Sequence, residues 1–163
     1  MRVLIQRVTH AAVRIDGRVV GGIGPGLLAL VGIGHGDAEA DLVWMAKKVA
    51  TLRVFADSDG KMNLSVLEIG GGILAVSQFT LYGDARKGRR PSFVEACEPS
   101  RAAELHERFV ALLGEQGVDP VATGVFGADM QIELENDGPV TLMIESPAER
   151  HEERVPGGGA NAE

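Results

Sequence analysis

The apolar run that begins at Ile73 reads as a buried strand, and its far end carries Ser77, Gln78 and Thr80. A buried hydroxyl or amide without a partner costs about 1 to 3 kcal/mol, so polar side chains at that point mark a place where something polar is met. Gly83 then breaks the strand, and Arg86, Lys87, Arg89 and Arg90 put four positive charges within five residues. A polar floor beside a cationic rim suits a substrate with a neutral reactive end and an anionic body. RNA has that chemistry.

The remaining segments supply elements to pack around this strand. Val3 to Ile15 alternates apolar and polar residues over much of its length, as a strand with one buried face does. Asp16-Gly17 gives a tight hairpin turn, and Val19 to Ile23 returns from it. Leu27 to Ile33 is apolar at nearly every position, which suits a central strand covered on both faces. From Ala38 to about Arg53, Leu42, Met45, Ala46, Val49 and Leu52 recur at helical spacing, with Asp37 placed to cap the helix. Glu39 and Asp41 stand early in it and Lys47 and Lys48 late, an order that favours the helix dipole. Phe55 to Asn63 reads as a turn between short strands, and its Asp57 and Asp59 lack the closing glutamate of a calcium loop.

The spacing predicts a second helix over Pro99 to about Gly114, with Ala102, Leu105, Phe109 and Leu112 or Leu113 as its apolar stripe. Three strands are expected after it, at about Val121–Val125, Met130–Glu135 and Val140–Glu145. Strands, then two helices separated by strands, then strands again make an α+β fold rather than a regularly wound parallel sheet. Beyond Ser146 the chain turns to Pro, Glu, Arg, Gly and Ala, too poor in apolar side chains to offset the entropy of ordering it. The expectation is one domain over 1–146 and a disordered tail over 147–163.

Composition sets the outer limits. A chain of 163 residues builds one domain with a sizeable core, and 45% hydrophobic with 24% charged residues is a globular balance. Its apolar runs fall far short of the roughly 20 residues that cross a bilayer, and the first residues lack a signal-peptide layout. A cytoplasmic location without a membrane partner is therefore expected. The net charge of -7 speaks against a general nucleic-acid coat protein, and leaves room for a local basic patch. Cys97, the only cysteine, rules out an internal disulfide and reads as a small buried apolar residue.

Hydrolysing an ester calls for a nucleophile, a base and donors for the developing oxyanion. Ser77, flanked as A-V-S-Q-F, is not in a G-x-S-x-G elbow. His10, His35, His106 and His151 show neither metal-ligand spacing nor a marked base, and each reads as a surface or core histidine. Thr80 is the remaining hydroxyl candidate, but a threonine without an adjacent base is a poor nucleophile, and it also reads as a strand residue bonding a neighbour. Such a site has donors and no clear attacking group. It works where the substrate brings its own hydroxyl.

The segment S-Q-F-T-L-Y followed by R-K-G-R-R-P-S-F, the N-D-G-P-V-T of Asn136 to Thr141, and the opening M-R-V-L-I-Q-R-V closely resemble D-aminoacyl-tRNA deacylases, the D-tyrosyl-tRNA deacylase family. The resemblance runs from about Met1 to Ser146. It implies antiparallel and mixed sheets forming a barrel-like core with two helices outside, a homodimer, and a tRNA substrate with no metal, organic cofactor or DNA. It further implies an ester hydrolase that removes D-amino acids from tRNA, and glycine mischarged on tRNA-Ala, with the 2′-OH of the terminal ribose assisting. Ser77, Gln78, Phe79 and Thr80 would hold the ester end, and Met130 would line the pocket. Gly138 and Pro139 would form a Gly-cis-Pro clamp inserted into the partner subunit's site to reject L-residues. Arg86, Lys87, Arg89 and Arg90 would meet tRNA phosphates. Taken as bare residues, N-D-G-P is an ordinary trans turn, Met130 a core methionine and the basic segment a solvated loop. Two other readings stay open: a non-catalytic tRNA-binding or synthetase-associated module, and a small-molecule esterase using Thr80 or Ser77.

Overall fold

A computed structural model describes residues 1–147, and in chain order these form β1 (Arg2–Ile15), β2 (Arg18–Ile23), β3 (Gly26–Gly32), α1 (Glu39–Thr51), β4 (Phe55–Ala56), β5 (Met62–Leu64), β6 (Gly72–Ser77), α2 (Pro99–Glu115), β7 (Val121–Thr123) and β8 (Gln131–Glu145). The tail expected over 147–163 lies, Pro147 apart, outside the described residues. Among the described residues no helix is long and apolar enough to cross a membrane.

β1 is paired along both edges. One edge carries β3 against Arg2–Val8 and β2 against Ala11–Ile15, and the other carries β8 along nearly the whole strand, all antiparallel. β3, β6 and β7 then run parallel to one another, so the sheet is mixed. Because two strands share one edge of β1, they splay and the sheet curls until β2 comes back against β7. Gly21 sits at this closure, where a Cβ would collide with the Thr123 carbonyl. The result is the α+β, nearly closed barrel with two outer helices that the resemblance implies, and β4 with β5 form a small separate hairpin.

The two faces of β3 show why its sequence is apolar throughout. Leu27, Ala29 and Val31 join the core under the helices, with Leu42, Met45 and Val49 of α1 and Phe109 and Leu113 of α2. Leu28 instead packs with Val8, Val13, Leu74 and Val76 on the other face, where Met130 and Ile132 close the cluster. Alternate residues therefore serve two apolar layers, and neither face of the strand meets water.

Three expectations are corrected. The two strands expected at Met130–Glu135 and Val140–Glu145 are one strand, because their common partner β1 is unbroken. The strand expected to reach Phe79 stops at Ser77, where the backbone turns into one turn of 3-10 helix at Phe79–Tyr82. Asp37 does not cap α1. Ala38 holds that position, its N–H bonded to Asp41 Oδ2 at 3.0 Å, while Asp37 is buried and accepts from Gly34 N–H at 2.7 Å and from the Met1 amino group. A buried carboxylate needs such a charged donor more than a helix end needs a cap.

The closure of the sheet is testable at adjacent glycines. Gly21→Ala is expected to lower unfolding free energy by about 1 to 3 kcal/mol, the range for overpacking a tight contact. Gly22→Ala meets nothing closer than 3.4 Å and is expected to leave the denaturant midpoint nearly unchanged.

Candidate active site

The site is built where β6 ends. Ser77 lies opposite Val31 of β3, and the Gln78 N–H donates to the Val31 carbonyl at 2.7 Å, the last bond before the chain leaves the sheet. Leu81 N–H then reaches back to Gln78 O at 3.2 Å and Gly83 N–H to Thr80 O at 2.9 Å. Phe79 and Thr80 open this turn, and the opening N–H groups of a helical turn have no acceptor within it. The Gln78 amide donates to Thr80 Oγ1, which fixes both side chains. Ser77 and Gln78 are half-buried, whereas Thr80 is exposed beyond the strand end and is not the buried strand hydroxyl that the sequence leads one to expect.

Ser77, Gln78, Phe79 and Met130 line one cavity of about 730 Å³, together with His35 and Phe126. Thr80 is not among its lining residues. A smaller cavity of about 180 Å³ shares Ser77, Phe126 and Met130 and adds His106 and Thr123. Gly124 makes room for Met130, since a Cβ there would strike its sulfur. Cys97 also borders the large cavity, and burial pushes its thiol up. His106 sits on the buried stripe of α2 with its Nε2 lacking a hydrogen-bond partner among the described residues, and burial pushes the ring down to about 4. Among the described residues no group of three or more His, Cys, Asp or Glu is placed to hold a metal.

Gly138 and Pro139 stand elsewhere, on a bulge of β8. Gln6 pairs with Thr141 and Val8 with Asn136, so Arg7 alone faces the four residues Asp137 to Val140. The Asn136 side chain replaces the missing ladder bonds: its Oδ1 accepts from Val140 N–H at 2.8 Å and its Nδ2 donates to Val140 O at 3.1 Å. Arg7 donates through Nε to Asp137 O at 2.8 Å and through Nη1 to Val54 O at 2.6 Å. The Gly138–Pro139 peptide is cis, and Gly138 has φ +144°; a Cβ there would lie 2.8 Å from Val140 Cγ2 and 3.1 Å from Arg7 Nη2. Both residues are exposed, and neither lines either of these two cavities.

Arg7 and Asn136 escape a reading of the sequence by residue type. The signals are there nonetheless: Arg7 stands where the alternation of Val3 and Ile5 calls for an apolar residue, and Asn136 opens N-D-G-P-V-T.

The basic segment is a closed loop, pinned by Asp84 N–H to Ser92 O and Ser92 N–H to Asp84 O, both at 2.8 Å. Its four cations are not equivalent. Arg86 grips Asp84 through Nε and Nη2 at 2.8 and 2.7 Å and holds that carboxyl well below the usual carboxylate range. Lys87, Arg89 and Arg90 are exposed and form no ion pair among the described residues.

Residues 4–145 match the family described as D-Tyr-tRNA(Tyr) deacylase. The D-aminoacyl-tRNA deacylase of Chloroherpeton thalassium is 59% identical over 147 residues, covering 90% of this chain and 97% of its own. That of Myxococcus xanthus is 58% identical, covering 90% and 95%. Among solved structures, the c-Myc DNA unwinding element binding protein superposes with a TM-score of 0.85 at 40% identity, over 91% of this chain and all of its own. A probable eukaryotic D-amino acid tRNA deacylase, at 21% identity and a TM-score of 0.74 over 88% of this chain and 97% of its own, shares the fold.

The buried His106 ring makes stability depend on acid. With its value lowered from 6.5 to about 4 by burial, the unfolded chain binds a proton there before the folded one does, so stability is full above about 6.5 and falls as pH drops towards 4. A shift of that size corresponds to on the order of 3 kcal/mol. Denaturant titrations from pH 7 to 4 are expected to show this loss, and His106→Leu to flatten the slope.

Proposed function

The chain belongs to the D-Tyr-tRNA(Tyr) deacylase family and is a hydrolase; from that premise we propose that it cleaves the ester of D-aminoacyl-tRNAs in the cytoplasm, releasing D-amino acid and tRNA, and spares L-aminoacyl-tRNAs. The observation that supports this reading is the exposed Gly138–Pro139 bulge, tied down at both ends and lining neither of the two cavities described above. In a homodimer each bulge would enter the partner's cavity beside Ser77, Gln78 and Phe79. There the carbonyls of Gly138 and Pro139 accept bonds from the substrate α-amino group.

Such a grip selects by exclusion. Held by its amino group and its ester carbonyl, an L-residue drives its side chain into the backbone of the bulge, whereas a D-residue turns its side chain away. Glycine has no side chain to reject, so glycyl-tRNA, including tRNA-Ala mischarged with glycine, passes the same filter.

The ester end lies at the turn after β6. The Phe79 N–H, unused within its turn, donates to the developing oxyanion, with Ser77, Gln78 and Thr80 positioning the ester around it. His106 is buried on α2, with its Nε2 sealed from solvent and without a partner among the described residues, so it is poorly placed to serve as the base. The adjacent 2′-OH of the terminal ribose takes that place, orienting or activating the attacking water. Lys87, Arg89 and Arg90 meet tRNA phosphates, and Arg86 shapes the loop through Asp84.

With purified protein, D-tyrosyl-tRNA and glycyl-tRNA are expected to lose their amino acid while L-tyrosyl-tRNA keeps it, followed by release of labelled amino acid. Equal release from the D- and L-forms would sink the clamp. Replacing Lys87, Arg89 and Arg90 by Ala is expected to raise KM at unchanged kcat and to flatten its log–log salt dependence by about 0.7 for each phosphate no longer neutralised. An unchanged salt slope would place the RNA elsewhere.

A further inference from the structure

An aromatic surface at the mouth of the cavity has no part in the chemistry above. Phe79 is 54% exposed, and the Phe93 ring meets it edge to face, with centroids 5.0 Å apart and planes at 70°. Val94, next in the chain, is 70% exposed. All three border the large cavity. Gly83 is required to seat the pair, because a Cβ there would lie 2.9 Å from Cε1 of Phe93. The basic loop departs from Asp84 and closes at Ser92, immediately before Phe93, so Lys87, Arg89 and Arg90 rise from the base of the aromatic pair. An exposed ring continuous with a cavity, beside cations that no carboxylate among the described residues neutralises, has the chemistry of a single-stranded nucleic-acid site: the base stacks and the phosphates meet the charges.

We propose that the Phe79 ring, braced by Phe93, is a stacking platform for the base just before the aminoacylated terminal nucleotide, with the adjoining phosphates on Lys87, Arg89 and Arg90. The proposal rests on the reading of RNA as substrate and adds to it a ring whose role is separate from the Phe79 N–H. Every base offers a flat face, so the platform binds without sequence preference. It contributes to affinity.

The test uses an acceptor-stem microhelix with an unpaired 3′ strand, charged with D-tyrosine through a non-hydrolysable amide, and a second copy with an abasic penultimate nucleotide. Phe79→Leu and Phe93→Leu are expected to weaken binding of the intact microhelix about 5- to 30-fold, within the range for one stacked base. Phe79→Tyr, which keeps the ring, is expected to bind as the unaltered protein does. The abasic microhelix is expected to bind the unaltered protein and Phe79→Leu equally. Equal binding of the intact microhelix by the unaltered protein and Phe79→Leu overturns the platform, as does the same loss on both microhelices. A change of oligomeric state in Phe79→Leu with unchanged RNA affinity also overturns it, and assigns the ring to a second copy of the chain. If the unaltered protein binds neither microhelix, the RNA reading and the platform fall together; tight binding that ignores the ring removes the platform alone.

Discussion

Pairing of β1 along both edges is the constraint from which the rest follows. Because β2 and β3 divide one edge, the sheet curls towards closure and the end of β6 is left at an open rim. Because β8 runs the length of the other edge with surplus residues, the surplus leaves the ladder as a bulge opposite Arg7. The cavity and the Gly138–Pro139 tip are thus two consequences of one strand's hydrogen-bond register. A one-residue slip of β8 would turn its side chains to the wrong face and move the bulge away from Arg7.

Much of the fold is legible in the sequence because its signals are local. The alternation in β1, the continuous apolar run of β3 and the helical spacing in α1 and α2 each report burial directly. β8 is not legible as a single strand, because Gly138 and Pro139 mark a turn and a bulge alike. What separates the two is the length of β1, at the far end of the chain. The same limit hides Arg7, whose bonds go to Val54 and Asp137. It also hides the meeting of Ser77 with Met130, which needs the curled sheet to bring them together. The polar end of β6 is visible in the residue types, and its geometry is not: the chain turns at Gln78, so Thr80 is at the surface.

Charge is arranged against the chain's own average. With a net charge of -7, the mean field repels RNA, so the RNA contact proposed for the basic loop has to act at short range, inside a screening length of about 8 to 10 Å. Pairing Arg86 with Asp84 removes one cation from that contact, and in exchange fixes the loop that presents the other three. Exposed pairs such as Arg108 with Glu39 and Glu115 contribute little to stability by comparison.

A filter made of main-chain atoms discriminates between mirror images only if it does not yield. The two hands of an amino acid differ by exchanging a side chain and a hydrogen at one carbon, so a clamp that moves by about an ångström admits both. The bulge proposed as that filter is held accordingly. Arg7 fixes the carbonyl before Gly138, Asn136 fixes both main-chain groups of Val140, and Val140 itself is buried at 8% exposure. Gly138 and Pro139 stand exposed between these anchors, next to the equally exposed Asp137 side chain. Any side chain at position 138 would press on Val140 and on the Arg7 guanidinium, which are the anchors themselves. The glycine is therefore demanded by the mounting of the tip itself, whatever the tip meets, and it could not change without loosening the anchors on which the proposed filter depends.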